Sequence, residues 1–175
     1  KIDILWFDFS YPDYHGEGDR AWMRGKGAAD WEADALITLA RRLQPGILID
    51  NRTGIEQDLW TPEQYQPLEW LRHPQTGEYV TWEACQTFSG SWGYHRDETT
   101  WKSPEMLIRM LVNTVSLGGN LLMNVGPTAR GCFDRRAQDA LRVYADWMRL
   151  NGRSIYGCTM AEPELLPALP ADCRF

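Results

Sequence analysis

Ile2-Asp3-Ile4-Leu5-Trp6-Phe7-Asp8 is the stretch on which the fold turns. It is a short apolar run of strand-favouring residues that ends on a carboxylate. Side chains alternate along a strand, so Trp6 and Asp8 share a face and Phe7 takes the other. In proteins built from βα repeats, the loops at the C-terminal ends of parallel strands carry the site. Asp8 is expected to close such a strand, and the rest of the chain reads as its scaffold or partner.

Working outward, a polar, glycine-broken loop spans Ser10 to Asp19. Asp30 is positioned to cap a helix over Trp31 to Leu43, with Leu36, Leu39, Ala40 and Leu43 on its apolar face. Ile47-Leu48-Ile49-Asp50-Asn51 predicts a second strand, with Arg52 at its end. A long loop, Thr53 to Glu78, follows and contains Thr61-Pro62-Glu63-Gln64, read as a turn or helix start. Tyr79 to Cys85 predicts a third strand, running out into Ser89-Gly90-Ser91-Trp92-Gly93-Tyr94. Ser103-Pro104 opens a helix whose buried face is expected to be Leu107, Ile108, Leu111, Val112 and Val115. Leu121 to Val125 is a fourth strand. Asp134 to Leu150 is a last helix, facing inward with Leu141, Tyr144, Ala145 and Met148. Ser154 to Gly157 reads as a further short strand, and 161–175 as a Pro-rich tail or the start of a linker.

Alternation of strands and helices implies a parallel sheet with helices outside. A doubly wound sheet and a (βα)8 TIM-like barrel both fit. No glycine-rich phosphate loop follows any strand, which disfavours nucleotide binding. A full barrel takes about 250 residues. The 175 residues here would supply only its later strands and helices, a partial barrel over 1–160.

The composition excludes several classes of function. A net charge of −6 argues against a nucleic-acid surface. No apolar run approaches the roughly 18 residues of a membrane span. Cys85, Cys132, Cys158 and Cys173 lack metal-ligand spacing, and Cys85 reads as a buried thiol. His15, His73 and His95 each fall in a polar loop, so no metal site is expected. Nine tryptophans hint at carbohydrate, because aromatic faces stack on the C–H faces of sugars; core filling is the plainer use of any one of them. Residues able to do chemistry collect at strand ends: Trp6 and Asp8, Asn51 and Arg52, Trp82 and Glu83, Asn124. Two carboxylates across a sugar ring are the minimum for glycoside hydrolysis.

The runs ILWFD, LIDNRTG, LWTPEQYQP, TWEACQTFSGSWGY, KSPEMLIRMLVNTVSLGGNLLMNVGPTARG and NGRSIYG occur in that order. Together they resemble glycoside hydrolase family 29, the retaining α-L-fucosidases. The resemblance covers Ile2 to about Tyr156, and its most distinctive parts are SWGY and NTVSLGGNLLMNVGPT. It implies a (βα)8-like barrel and removal of terminal α-L-fucose from a fucosylated glycan with retention, with no metal and no organic cofactor. A non-catalytic fucose-binding relative and a transfucosidase using the same residues are the alternatives.

By that resemblance Asp8 falls on the nucleophile and Trp6 on the aromatic beside it that contacts the sugar. Glu63 falls on the general acid/base, with Glu83 as the alternative. A mobile loop suits an acid that must reach the exposed glycosidic oxygen. Arg52 matches an arginine that contacts fucose, and Trp92 an aromatic that packs on its C5-methyl. Each has a plainer reading: Arg52 could form an internal ion pair with Glu83 or Asp50, a strand-end Glu83 serving to hold it by a charged hydrogen bond, and the tryptophans could be packing. The polar insert Arg72 to Glu78 is expected to shape the aglycone side.

The chain opens on Lys1 directly before a strand and is read as a piece of a longer protein. The family's sugar-binding histidines would lie upstream and its β-sandwich domain downstream. These 175 residues alone are therefore expected to be inactive or nearly so. Export is the habit of bacterial members, but no signal region is present to read. The oligomeric state is not legible.

Overall fold

The structure is a computed structural model that describes residues 1–15 and 22–161. The chain divides into two compact units, Lys1–Thr61 and Pro62–Phe175.

In the first unit the elements are β1 (Ile4–Leu5), β2 (Tyr14–His15), β3 (Trp22–Met23), α1 (Ala28–Trp31), α2 (Ala33–Leu43), β4 (Leu48–Ile49) and β5 (Leu59–Trp60). β1 and β4 pair in parallel, Ile4 opposite Leu48 and Leu5 opposite Ile49, with α2 in the crossover between them. Ile47 and Ile49 are buried while Leu48 is exposed, the alternation of a strand with one covered face. Asp50 continues the parallel pairing to Leu59.

Three expectations for this unit are corrected. The segment read as a polar loop forms an antiparallel arm: Tyr14 pairs with Met23, His15 with Trp22 and Tyr11 with Lys26. His15 therefore lies in a strand. Gly16 to Asp19 lie outside the described residues. Asp30 does not cap the long helix. It occupies the third position of α1, where Oδ2 accepts the Gly27 N–H at 3.0 Å. That bond, with Arg24 beside it, holds the Asp30 carboxyl below its usual pKa. Glu32, left-handed at φ 50°, separates α1 from α2. The apolar face of α2 is largely open as well. Ala33 is its buried residue, and Leu43 is 74% exposed.

In the second unit the elements are β6 (Thr81–Thr87), α3 (Pro104–Ser116), β7 (Asn120–Asn124) and α4 (Arg135–Asn151), followed by a 3-10 turn at Gly152–Ser154. β6 and β7 are parallel from Glu83 opposite Asn120 to Thr87 opposite Asn124, with α3 as the crossover. Local chemistry sets the helix starts. Ser103 Oγ accepts the Met106 N–H at 3.3 Å with Pro104 at the first helical position, and Asp134 accepts the Arg136 N–H at 2.9 Å. Phe88, Leu107 and Ala140 form the core, and Trp101, Met123, Val125, Leu141 and Tyr144 pack against it. Burial there pushes the Tyr144 hydroxyl up to about 12. Cys85 is buried, in line with the sequence reading.

On α3, Val112 is exposed and Thr114 takes the buried place instead, its hydroxyl 2.8 Å from the Met110 carbonyl. That bond lets a polar side chain sit inside without an unmet donor. Ala145 of α4 is also exposed, and the helix buries Ala137 and Ala140. The expected strand at 154–157 is a turn, in which the Ile155 and Tyr156 N–H groups both donate to the Gly152 carbonyl. Glu162 to Phe175, the expected tail with Cys173, lies outside the described residues.

The third strand is displaced by two residues from its expected range, to Thr81–Thr87. Tyr79 and Val80 belong instead to a small hairpin: Arg72 pairs with Tyr79, and the Val80 N–H donates to the Leu71 carbonyl at 3.0 Å. Trp70 stacks on Tyr79 at 4.4 Å and the Arg72 guanidinium lies 3.7 Å over the same ring. The Arg72 to Glu78 insert thus sits where β6 begins. Trp82 is fully buried, packed against Gly119, where an added Cβ would come within 2.4 Å of its ring. Its indole N–H donates to the Leu117 carbonyl at 3.3 Å, so this tryptophan serves the core.

Candidate active site

The chain leaves β1 at Leu5 and reaches Asp8 three residues later. Asp8 is half exposed, while the Arg52 side chain, just past β4, is only 15% exposed. Arg52 Nη1 donates to Asp8 Oδ1 at 3.0 Å, and Nε donates to Thr61 Oγ1 at 2.9 Å. Its guanidinium lies 4.4 Å over the Trp6 ring. A planar cation suits this geometry, because it can stack and donate in its own plane together. Thr61 is held in turn: its N–H and hydroxyl both donate to Asn51 Oδ1, at 3.2 and 2.9 Å. Ser10 Oγ donates to the Arg52 carbonyl and accepts the Trp31 indole N–H at 2.9 Å. Trp6, Asp8 and Arg52 are therefore brought together in the first unit, with Asn51 and Thr61 as supports.

The backbone turns sharply after Asp8. Phe9 is left-handed at φ 68°, and its N–H donates to Asp8 Oδ1 at 2.8 Å. A bulky residue rarely adopts this conformation, and such strain gathers at functional sites.

Asp50 is fully buried behind this group. Its Oδ1 accepts the Arg52 N–H at 3.2 Å, while Oδ2 has no hydrogen-bond partner. Burial raises the carboxyl to about 6, against the pull of the Arg52 and Phe7 N–H groups and the Arg52 charge.

In the second unit Glu63 is exposed and lies in an extended segment, not at a helix start. It is bridged in parallel to Cys85, with Gln64 N–H donating to the Cys85 carbonyl at 3.0 Å and Cys85 N–H to the Pro62 carbonyl at 2.8 Å. Gln64, directly after it, is left-handed at φ 59°. Glu83 lies third in the seven-residue β6, near its N-terminal end, so it is not the strand-end residue it was expected to be. Trp92, 41% exposed, lies beyond the C-terminal end of β6, and its carbonyl accepts the Asn124 side-chain N–H at 2.6 Å. Glu63 thus lies level with Cys85, two residues further along β6 than Glu83, and Trp92 lies past the C-terminal end of that strand.

Sequence reasoning passed over Thr61, and met Asp50 only as an alternative ion-pair partner for Arg52. A threonine two residues before Glu63 carries no signal of its own. An aspartate closing the apolar run Ile47-Leu48-Ile49 did carry one. Among the described residues no cluster of His, Cys, Asp and Glu is arranged to hold a metal ion, and no helix is long and apolar enough to cross a membrane.

Parallel βα units with acidic and aromatic side chains beyond their strand ends place this chain in the α/β class. Residues 1–153 match the Alpha-L-fucosidase family profile. Human plasma alpha-L-fucosidase is 39% identical over 97 residues, 54% of this chain and 19% of the human protein. Among solved structures, alpha-L-fucosidase isoenzyme 1 from Paenibacillus thiaminolyticus superposes with a TM-score of 0.77 at 40% identity, over 91% of this chain and 37% of that one. A family 29 alpha-L-fucosidase from Bacteroides thetaiotaomicron superposes with a TM-score of 0.62 at 26% identity, over 74% of this chain and 33% of that one. It was solved as a trapped covalent intermediate with 2-fluoro-fucosyl fluoride, using a glutamate-to-glutamine variant. The chain belongs to glycoside hydrolase family 29, the alpha-L-fucosidases. It spans about a fifth of the length of the human relative and about a third of the two solved structures.

Proposed function

We propose that the protein containing this chain is a retaining α-L-fucosidase acting on terminal fucose of glycans, and that the strands described here belong to a (βα)8 barrel. Asp8 is the nucleophile and Glu63 the general acid/base. Asp8 attacks the anomeric carbon while Glu63 gives its proton to the departing glycosidic oxygen. A covalent fucosyl ester on Asp8 results. Glu63, now a carboxylate, takes a proton from water as the water displaces Asp8, and the β-face product of the first step is inverted again, giving net retention. Trp6, Arg52 and Trp92 contact the sugar.

The observation that carries this reading is the Arg52–Asp8 hydrogen bond over Trp6, which presents a carboxylate beyond a strand's C-terminal end without burying it. Glu63 is preferred to Glu83 for two reasons. Glu83 falls early in β6, and the residue after Glu63, like the residue after Asp8, carries a left-handed backbone. The covalent intermediate trapped in the Bacteroides relative supports a double-displacement route through a covalent fucosyl-enzyme.

The test is Asp8→Gly in the full-length protein. Turnover of an aryl α-L-fucoside should fall by at least about 10³-fold while fucose binding survives. Unchanged turnover would remove Asp8 from the chemistry. A wild-type protein that binds fucose but never turns over would identify the non-catalytic relative, and product analysis with an added sugar acceptor would identify a transfucosidase.

A further inference from the structure

The loop from Ser89 to Thr100 follows β6 and carries Trp92 and Tyr94, each 41% exposed. It is closed across its base by one buried carboxylate. Glu98 is 9% exposed and accepts three hydrogen bonds: from Ser91 Oγ at 2.5 Å, from Thr100 Oγ1 at 2.6 Å and from the Thr100 N–H at 2.7 Å. Thr100 Oγ1 accepts the Gly90 N–H at 2.8 Å, so the same residues tie the start of the loop to its end. These bonds, the Ser91 hydroxyl first and Thr100 next, hold the Glu98 carboxyl down to about 2.

Two further contacts fix the loop against the elements around it. Arg136 at the start of α4 donates to the Glu98 carbonyl at 2.9 Å with its guanidinium 4.6 Å over the Trp101 ring. Gly126, after β7, meets the Gly93–Tyr94 backbone so closely that a Cβ there would lie 2.3 Å from the Tyr94 nitrogen. A small cleft of about 10 Å³ remains there, lined by Phe88, Tyr94, Trp101 and Asn124 among others.

We propose that Glu98 is a positioning residue for the sugar pocket, latching the 89–100 loop so that Trp92 is held ready for substrate. This rests on the reading of Trp92 as a sugar contact. A loop ordered before binding costs less affinity than one ordered by binding, so loss of the latch should appear in KM more than in kcat. Glu98 acts through Trp92 and touches no substrate.

The test measures kcat and KM for an aryl α-L-fucoside in the full-length protein. Glu98→Ala should raise KM about tenfold with kcat within about threefold. Glu98→Gln should restore a KM close to wild type, because an amide oxygen still accepts from Thr100 and the Ser91 hydroxyl can turn to accept from the amide. Trp92→Ala should raise KM by a similar factor, and adding Glu98→Ala to it should raise KM no further. Ser91→Ala removes a single bond of the latch, should raise KM about threefold, and takes the place of Glu98→Ala in the cycle if that variant does not fold.

A KM effect of Glu98→Ala that persists undiminished in the Trp92→Ala background overturns the proposal. So does a lowered melting temperature with KM unchanged, which would mark Glu98 as structural only. If Trp92→Ala raises KM and no latch variant does, the assignment of Glu98 fails alone. If Trp92→Ala leaves KM unchanged, the sugar-contact reading fails and the latch falls with it.

Discussion

Arg52 places Nη1 3.0 Å from Asp8 Oδ1 while its Nε, on the same planar group, lies 2.9 Å from Thr61 Oγ1. The guanidinium rests on the Trp6 ring. One side chain thus ties the exit of β1 to the exit of β4 and to Thr61. The aim of the Asp8 carboxylate is set by the position of both strands. Lysine would keep the charge, but a single ammonium cannot make the two in-plane bonds and stack as well.

Arg52→Lys should therefore lower kcat/KM for an aryl α-L-fucoside by about 10–100-fold, the loss of a charge-assisted hydrogen bond. Steady-state kinetics on the full-length protein check this. A change under threefold would mean that the pair is not used in catalysis.

The two glutamates separate by leaving group. Glu63→Gln should cost about 10²–10⁴-fold on a glycan substrate, whose departing alcohol needs a proton, and much less in the first step with a dinitrophenyl fucoside, whose leaving group needs none. Glu83→Gln should show no such dependence on the leaving group. The opposite pattern would transfer the acid/base role to Glu83.

Asp50 gives a pH signature. Its carboxyl ordinarily ionises near 3.8, and in the folded protein near 6. Both states hold it neutral below about 4, where it imposes no penalty. Between about pH 4 and 6 the unfolded state is ionised while the folded state still holds the proton, so stability falls across that window and the loss is complete above 6. Asp50→Asn keeps an oxygen for the Arg52 N–H and removes the titration. It should be more stable than wild type above pH 6, by up to about 3 kcal/mol, and equal to it below pH 4. Urea unfolding at pH 4, 6 and 8 measures this. A constant difference across that range would mean that Asp50 does not titrate there.

Gly119→Ala tests the packing of Trp82. The new methyl group would meet the indole at 2.4 Å, and the ring is fully enclosed. About 1–3 kcal/mol of stability should be lost, read as a fall in the urea midpoint. An unchanged midpoint would mean that the indole can move aside.

What could be read from the sequence was local chemistry. Ser103-Pro104 and Asp134 mark where α3 and α4 begin because caps act within one turn. The alternation of strands and helices likewise anticipated the parallel pairing of β1 with β4 and of β6 with β7. Burial was less legible. The apolar stripe of α2 names a face but not what covers it, and Leu43 is open. Tyr79-Val80 has the same strand-like pattern as the residues after it, so only the backbone bond to Leu71 shows that β6 starts at Thr81. That shift moved Glu83 from the end of a strand toward its beginning. In the site, motif resemblance picked out Trp6, Asp8 and Arg52, which the fold brings together. Of the groups that hold these residues or, in the second unit, the 89–100 loop, Thr61 and Glu98 are polar residues in unremarkable contexts, while Asp50 closes an apolar run. Their partners lie 2 to 10 positions away along turns that no periodicity announces.

The hairpin at Arg72–Tyr79 lies at the opening of β6, while Trp92 lies beyond that strand's far end. His73 closes it by donating to the Glu78 carbonyl at 2.8 Å and accepting the Gly77 N–H, so the bend is a self-contained loop with exposed residues at its tip. A fluorophore or affinity handle grafted between Pro74 and Gly77 would hang from the N-terminal end of β6, at the opposite end of that strand from Trp92.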